Sequence, residues 1–289
     1  MKKPLFITDL DGTLLSNDSR LSPMTIELVN RAVGEGALFT VATARTPATI
    51  SKILRGLDLR LPMAVLTGAV LWNPVTGEYS EPKFIEESTV REMLEIYGEA
   101  QMPAFIFTLR DDHIIHIYHI GELSDVERQF IEERRDSPYK RFHVPADGNS
   151  QLPEKLDNVL LFYAVQPTEK GRAVYERIRN RKDLNPIFYH DIYGEELAVL
   201  EFFSPQASKA LAAARIAAKT GADGIIAFGD NYNDLPLLRA ADIGVAVGNA
   251  VEDVRKVADR VIGTNEESAV PKFILSLTPS VSAEARCEK

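Results

Sequence analysis

The stretch Pro4-Leu5-Phe6-Ile7-Thr8-Asp9-Leu10-Asp11-Gly12-Thr13-Leu14 most constrains what this chain can fold into. A short apolar run ends abruptly in two carboxylates, two residues apart, and then a glycine. Apolar runs with polar ends read as strands buried in a parallel sheet. In open α/β sheets the ligand lies at the carboxyl ends of the strands. Asp9 and Asp11 are therefore expected where such a fold does its chemistry. Two carboxylates about 5 Å apart repel by roughly 3 kcal/mol at an effective dielectric of about 20. A cation beside one, or a proton on the other, relieves that repulsion. The alternative is a solvated Asp-x-Asp-Gly turn, and the rest of the chain decides between the two.

Strand and helix alternate after this start. Ser22-Pro23 predicts a helix opening, with Ser22 as its cap and Pro23 in the first turn. Residues 37–42 form a second buried strand that stops at Thr43-Ala44-Arg45. Thr46-Pro47 opens another helix, and residues 63–66 form a third strand ending at Thr67-Gly68-Ala69. Near residue 80 the pattern changes. A helix over 86–100 is followed by alternating aromatic strands over 104–109 and 113–118, joined by a tight turn at 110–112. A strand over 158–165, a charged helix over 169–181, and a pair over 186–191 and 197–203 turning at Tyr193-Gly194 complete this part. The alternation then resumes with the helix after Ser208-Lys209. A strand over 224–228 ends in Gly229-Asp230-Asn231-Tyr232-Asn233-Asp234, and a helix, a strand, a helix and a strand follow up to residue 262. The fold class read from this order is α/β: a doubly wound, Rossmann-like parallel sheet with an inserted α+β domain. The core takes residues 1–81 and 203–277, and the insertion takes 82–202. Residues 278–289 are small, polar and aperiodic, and are expected to be disordered.

Composition narrows the function. A net charge of −9 over 289 residues argues against a general nucleic-acid binder. It also requires any anionic substrate to be met by local positive charge. The lone cysteine, Cys287, permits neither a disulfide framework nor a cysteine metal site within one chain. The first apolar run is too short for a signal-peptide core, and no run approaches a membrane span. The expectation is a cytoplasmic protein with no nucleic-acid or membrane partner.

The polar groups at the strand ends suit one task. Asp9 and Asp11 supply carboxylates, Thr43 a hydroxyl and neighbouring N–H groups, and Asp230, Asn233 and Asp234 further oxygens. Hard oxygens without clustered Cys or His suit Mg²⁺. Lys209 stands in the first turn of its helix, where the helix dipole disfavours a cation. A bound phosphate would make that position favourable; the plainer alternative is a surface lysine.

Together, Asp9-Leu-Asp11-Gly-Thr-Leu, Thr43 after a strand, Lys209 opening a helix and Gly229-Asp230-x-x-Asn233-Asp234 resemble the four motifs of the haloacid dehalogenase superfamily. The insertion resembles the C2-type cap of its Cof-like IIB branch. The resemblance covers about residues 1 to 277. It implies a phosphatase in which Asp9 attacks phosphorus and Asp11 serves as acid and then base. It implies Mg²⁺ held by Asp9, the Asp11 carbonyl and Asp230, with Asp234 behind them or reaching through water. It assigns Leu10, Thr43, Ala44, Lys209 and Asn233 to the phosphoryl oxygens. The implied substrate is a small phosphorylated metabolite, with sugar phosphates the leading class. A phosphomutase, or a non-catalytic ligand-binding protein on the same fold, are the alternatives. Arg45 is expected either at the phosphate or leaving group, or in a salt bridge at its helix start. Thr67 and Ser268 depart from the family pattern, which has Asn-Gly-Ala at the first and Asp-Gly at the second. The five histidines, 113, 116, 119, 143 and 190, all fall in the insertion. His113 and His116 point to opposite strand faces, which argues against a shared metal.

Overall fold

The computed structural model describes residues 1–144, 152–190 and 196–278. The expected turn at Tyr193-Gly194, and the tail beyond Thr278 with Cys287, lie outside the described residues. The chain divides into two compact units, Met1–Ser80 with Ser208–Lys289, and Glu81–Ala207. The break expected after residue 202 falls inside a strand that runs to Phe203.

The first unit begins with β1 (Leu5–Thr8), α1 (Pro23–Gly34), β2 (Leu38–Val41), α2 (Pro47–Ile53), β3 (Met63–Val65), β4 (Val70–Trp72) and β5 (Tyr79–Ser80). The second unit holds α3 (Glu87–Glu99), β6 (Ala104–Leu109), β7 (Ile115–Ile120), α4 (Asp125–Glu132), β8 (Lys140–Phe142), β9 (Val159–Pro167), α5 (Thr168–Ile178), β10 (Asn185–His190) and β11 (Leu197–Phe203). The first unit resumes with α6 (Lys209–Thr220), β12 (Ile225–Gly229), α7 (Leu235–Ala240), β13 (Ile243–Ala246), α8 (Glu252–Val257), β14 (Arg260–Val261) and α9 (Ala269–Leu277).

The sheet of the first unit runs β14-β13-β12-β1-β2, and every pairing is parallel. Strands β1 and β12 lie centrally. Leu5, Ile7, Phe228 and Val245 are fully buried there, as a sheet covered on both faces demands. Phe273 of α9 packs edge-on against Phe228 of β12. Ser22 caps α1 by accepting the Thr25 N–H at 3.0 Å, which fixes the first crossover. The third predicted strand departs from the simple picture. Just beyond β2 it forms an isolated parallel bridge, Ala42 to Ala64, and Thr40 donates to the Pro62 carbonyl at 2.6 Å. It then turns at Leu66-Thr67-Gly68 into an antiparallel sheet with β4 and β5. Leu66 and Thr67 both have left-handed backbones, with φ of 50° and 55°, and that reversal ends the parallel run.

The second unit is a sheet ordered β10-β11-β9-β6-β7-β8, antiparallel except between β7 and β8. Met93 and Tyr97 of α3 and Val174 and Ile178 of α5 pack on Ile106, Phe162 and Phe202. The Tyr97 ring stands edge-on to both phenylalanines. Phe105, Phe107 and Tyr118 are likewise buried as sheet packing. His116 bonds Asp112 at 3.0 Å and His143 at 2.8 Å, whereas His113 is exposed.

Candidate active site

The carboxyl ends of β1, β2 and β12 and the start of α6 carry the polar groups of the first unit. Asp9 directly follows β1, and its N–H donates to the Phe228 carbonyl of β12 at 3.0 Å. The chain then makes a tight turn, closed by the Leu15 N–H on the Leu10 carbonyl at 2.9 Å. Gly12 sits in this turn at φ +72°, and a Cβ there would overlap the Asp230 carboxylate. Both the backbone conformation and the close approach require glycine. Thr13 donates its hydroxyl to Asp230 at 2.9 Å, tying the turn to the end of β12.

Lys209 lies at the centre of the cluster. Ser208 caps α6 by accepting the Ala210 N–H at 3.2 Å, so Lys209 is its first helical residue. The Lys209 side chain, only 3% of the residue being exposed, donates to Asp9 at 2.6 Å and to Asp234 at 2.7 Å. It is thus a buried link between two motifs rather than a surface lysine. Asp234 is fully buried and also accepts the Asp230 N–H at 3.1 Å. Gly68 backs this region at φ +84°, and a Cβ on it would strike the Ser208 carbonyl. The unusual Leu66-Thr67-Gly68 turn therefore packs directly on the start of α6.

The electrostatics follow from burial. Burial, reinforced by the charge of Asp234, pushes Asp9 up to about 8, while Lys209 pulls the other way. Burial pushes Asp230 up to about 6, against the Thr13 hydrogen bond and with Asp234 adding to it. Burial also works against the charge of Lys209, but Asp234 and Asp9 outweigh it and hold the ammonium above its ordinary range. Three crowded carboxylates thus face one ammonium. Asp9, Asp230 and Asp234 can each bring an oxygen within 4.8 Å of the others. An all-oxygen set with surplus negative charge fits a hard divalent cation. Since Lys209 already spans Asp9 and Asp234, Asp230 and the remaining Asp9 oxygen could hold that ion.

The other predicted site residues are placed less uniformly. Asp11 is half-exposed and forms a two-bond pair with Arg45, Nε to Oδ2 at 2.8 Å and Nη2 to Oδ1 at 2.6 Å. Thr43 is buried, and its hydroxyl accepts the Arg45 N–H at 3.1 Å. Leu10 is buried in the turn, while Ala44 is exposed at the end of β2. Asn233 is exposed, although its neighbour Asp234 is fully buried. Ser268 accepts a hydrogen bond from Thr25 at 2.8 Å, within the cap of α1.

Two asparagines brace the turn that follows Asp9, and sequence reading did not single them out. Asn249 donates to the Gly12 carbonyl at 2.7 Å and accepts the Asn265 N–H at 3.0 Å. Asn265, buried, donates to the Leu15 carbonyl at 2.9 Å. The available signal for Asn249 was its place after the buried β13, one more polar group ending an apolar strand.

The model of the haloacid dehalogenase-like hydrolase family matches residues 6–274. A 5-amino-6-(5-phospho-D-ribitylamino)uracil phosphatase of Bacillus subtilis, YitU, is 25% identical over 94% of this chain and 97% of its own length. A pyridoxal phosphate phosphatase of Escherichia coli, YbhA, is 25% identical over 93% of this chain and 96% of its own. The crystal structure of a haloacid dehalogenase-like hydrolase from Bacteroides thetaiotaomicron superposes with a TM-score of 0.73. It covers 96% of this chain and all of that one, at 23% identity. The chain belongs to the haloacid dehalogenase-like hydrolases, as an enzyme of the phosphatase type. Phosphatases of this superfamily in general use a divalent metal. Among the described residues, no helix is long and apolar enough to cross a membrane.

Proposed function

We propose that the chain is a Mg²⁺-dependent phosphatase that hydrolyses small phosphate monoesters, sugar phosphates first among them, through an aspartyl-phosphate on Asp9. The observation that carries this reading is the buried Lys209, bonded to both Asp9 and Asp234 beside Asp230. An oxygen nucleophile held among a cation and further carboxylates, at the carboxyl end of a central parallel strand, suits phosphoryl transfer. The two curated relatives named above act on small phosphate esters of unrelated organic alcohols, which favours a metabolite substrate over a macromolecule.

In this reading an Asp9 oxygen attacks phosphorus, and the bond to the ester oxygen breaks. Asp11 gives its proton to the departing alkoxide. It then takes a proton from water, which attacks phosphorus and breaks the Asp9–phosphorus bond. Both of its carboxyl oxygens accept hydrogen bonds from Arg45. The first step therefore requires Asp11 to leave Arg45. Lys209 neutralises charge at Asp9 and, with Thr43, Asn233 and the N–H groups of Leu10 and Ala44, receives the phosphoryl oxygens. Thr13 and Asn249 hold the turn so that Asp9 and Asp11 keep their places. Asp9, the Asp11 carbonyl and Asp230 would hold Mg²⁺, which would supply the remaining charge neutralisation.

The test is phosphate release from sugar phosphates, nucleotides, pyridoxal phosphate and p-nitrophenyl phosphate, with Mg²⁺, with EDTA, and with Asp9→Asn. The reading expects metal-dependent turnover that the variant loses, with sugar phosphates ranked highest. Turnover that survives EDTA, or that persists in Asp9→Asn, would overturn it.

A further inference from the structure

The second unit holds a buried cation for which the reaction has no use. Lys140 opens β8 and is 5% exposed. Its Nζ lies 5.8 Å from the centre of the Phe130 ring and 5.9 Å from that of Phe142. Among the described residues it has neither a hydrogen-bond partner nor a carboxylate. Buried charges are normally paired, and two aromatic faces compensate only part of that loss.

Beside Lys140 lies a cleft of about 330 Å³, lined also by Arg135, Arg141 and Ser137. No carboxylate lines it among the described residues. Of the nearby acids, Glu133 bonds Arg134 at 2.6 Å, Asp112 bonds His116 at 3.0 Å and lies 3.8 Å from Arg141, and Asp136, exposed between Arg135 and Ser137, does not line the cleft. Arg135 has no ion-pair partner among the described residues. In a chain of net charge −9, three cations around one hollow are a local reversal of sign. The volume is at the lower end of small-molecule sites and many times that of one water.

We propose that this cleft is an anion-binding site, in which Lys140, Arg135 and Arg141 receive a phosphoryl dianion, as the free ion or as a small ester. The aromatic walls hold the lysine stem and exclude water. The two exposed guanidiniums supply the planar donor forks that suit phosphoryl oxygens. Ser137 adds a hydroxyl. In the absence of an anion, burial and then the charge of Arg134 push the Lys140 amine down to about 7. An anion in the cleft would reverse that shift.

The reversal gives a readout confined to this one residue, separate from any binding at Asp9. The full chain is pulsed with an amine-acetylating reagent at pH 7, and the peptide carrying Lys140 is quantified by mass spectrometry. The probes are inorganic phosphate, phenylphosphonate (an ester mimic that cannot be hydrolysed) and chloride at matched ionic strength. Raising the amine by one unit lowers its neutral fraction about fivefold at this pH, so labelling of Lys140 slows about fivefold. Slowing by phosphate identifies the free ion as a ligand, and slowing by phenylphosphonate alone identifies an ester; either supports the site. The double variant Arg135→Gln, Arg141→Gln, altered only at exposed positions, should fold normally and lose the protection. Equal slowing by chloride, no slowing by either phosphorus probe, or protection that persists in the double variant would overturn the proposal.

Discussion

Replacing Lys209 with methionine keeps the length of the side chain and removes the one ammonium bonded to Asp9 and Asp234. At the observed 2.6 and 2.7 Å, each pairing has a gross attraction of roughly 6 kcal/mol at an effective dielectric of about 20. Desolvation offsets much of this, and removing one partner of a buried pair costs about 3–5 kcal/mol in measured cases. Stability should therefore fall by about 3 kcal/mol at pH 8. The loss should shrink toward pH 5, because Asp9, already pushed up by burial and the charge of Asp234, is relieved of its lost cation by taking up a proton. A buried carboxyl with a raised pKa stabilises the fold while protonated and loses that contribution as pH rises. Lys209, raised above its unfolded value, stays charged throughout this range and holds Asp9 down, so the wild type shows the same trend from Asp9 less steeply than the variant. Catalysis loses a charge-assisted contact in the transition state, worth about 10²–10³ in kcat. Thermal melts at pH 5 and pH 8, with steady-state hydrolysis of p-nitrophenyl phosphate, measure both effects. A kcat within about threefold of wild type, or an equal melting deficit at the two pH values, would refute the reasoning.

Three further perturbations test separate parts of the structure. Gly12→Ala forces a Cβ against Asp230 at a φ of +72°; it should cost about 1–2 kcal/mol in chemical denaturation and weaken Mg²⁺ activation, and unchanged metal dependence would count against the turn's role. Thr67→Asn places a residue that tolerates the left-handed region where a β-branched one now stands at φ 55°; the midpoint of denaturation should rise by about 1 kcal/mol in stability terms, and a fall would contradict the assignment of strain. Glu201, 7% exposed on β11, is pushed up to about 7 by burial, with only a weak opposing bond from Tyr189. Its folded pKa exceeds its unfolded one, so its contribution declines as pH rises from about 4.5 to 7, by up to about 3 kcal/mol. Glu201→Gln should flatten that part of the stability–pH curve, and an unaltered slope would contradict the account.

What was legible in the sequence was local. Apolar strands with polar ends announced β1, β2 and β12, and Ser22 and Ser208 marked helix starts because caps act within one turn. Strands β4 and β5, three and two residues long, are too short to show a period. Helix α4 buries only Glu127 and Ile131, so its apolar stripe is too thin to see, although its capping box from Ser124 to Glu127 was a usable signal. At the site, the residue types were readable but their pairings were not. Lys209 meets Asp9 from 200 positions away, a contact that only the sheet order creates. The same holds for Thr13 with Asp230 and for Asn249 with Gly12. Asn233 and Asp234 are adjacent in sequence, yet the turn buries one and exposes the other.

The central claim is that Asp9 becomes covalently phosphorylated. Rapid acid quench during turnover with Mg²⁺, followed by mass spectrometry of the peptide carrying Asp9, tests it directly. The account predicts a gain of one phosphoryl group on that residue, sensitive to hydroxylamine and absent from Asp9→Asn. Turnover with that peptide unmodified under every quench time, or a phosphoryl group on another residue, would contradict it.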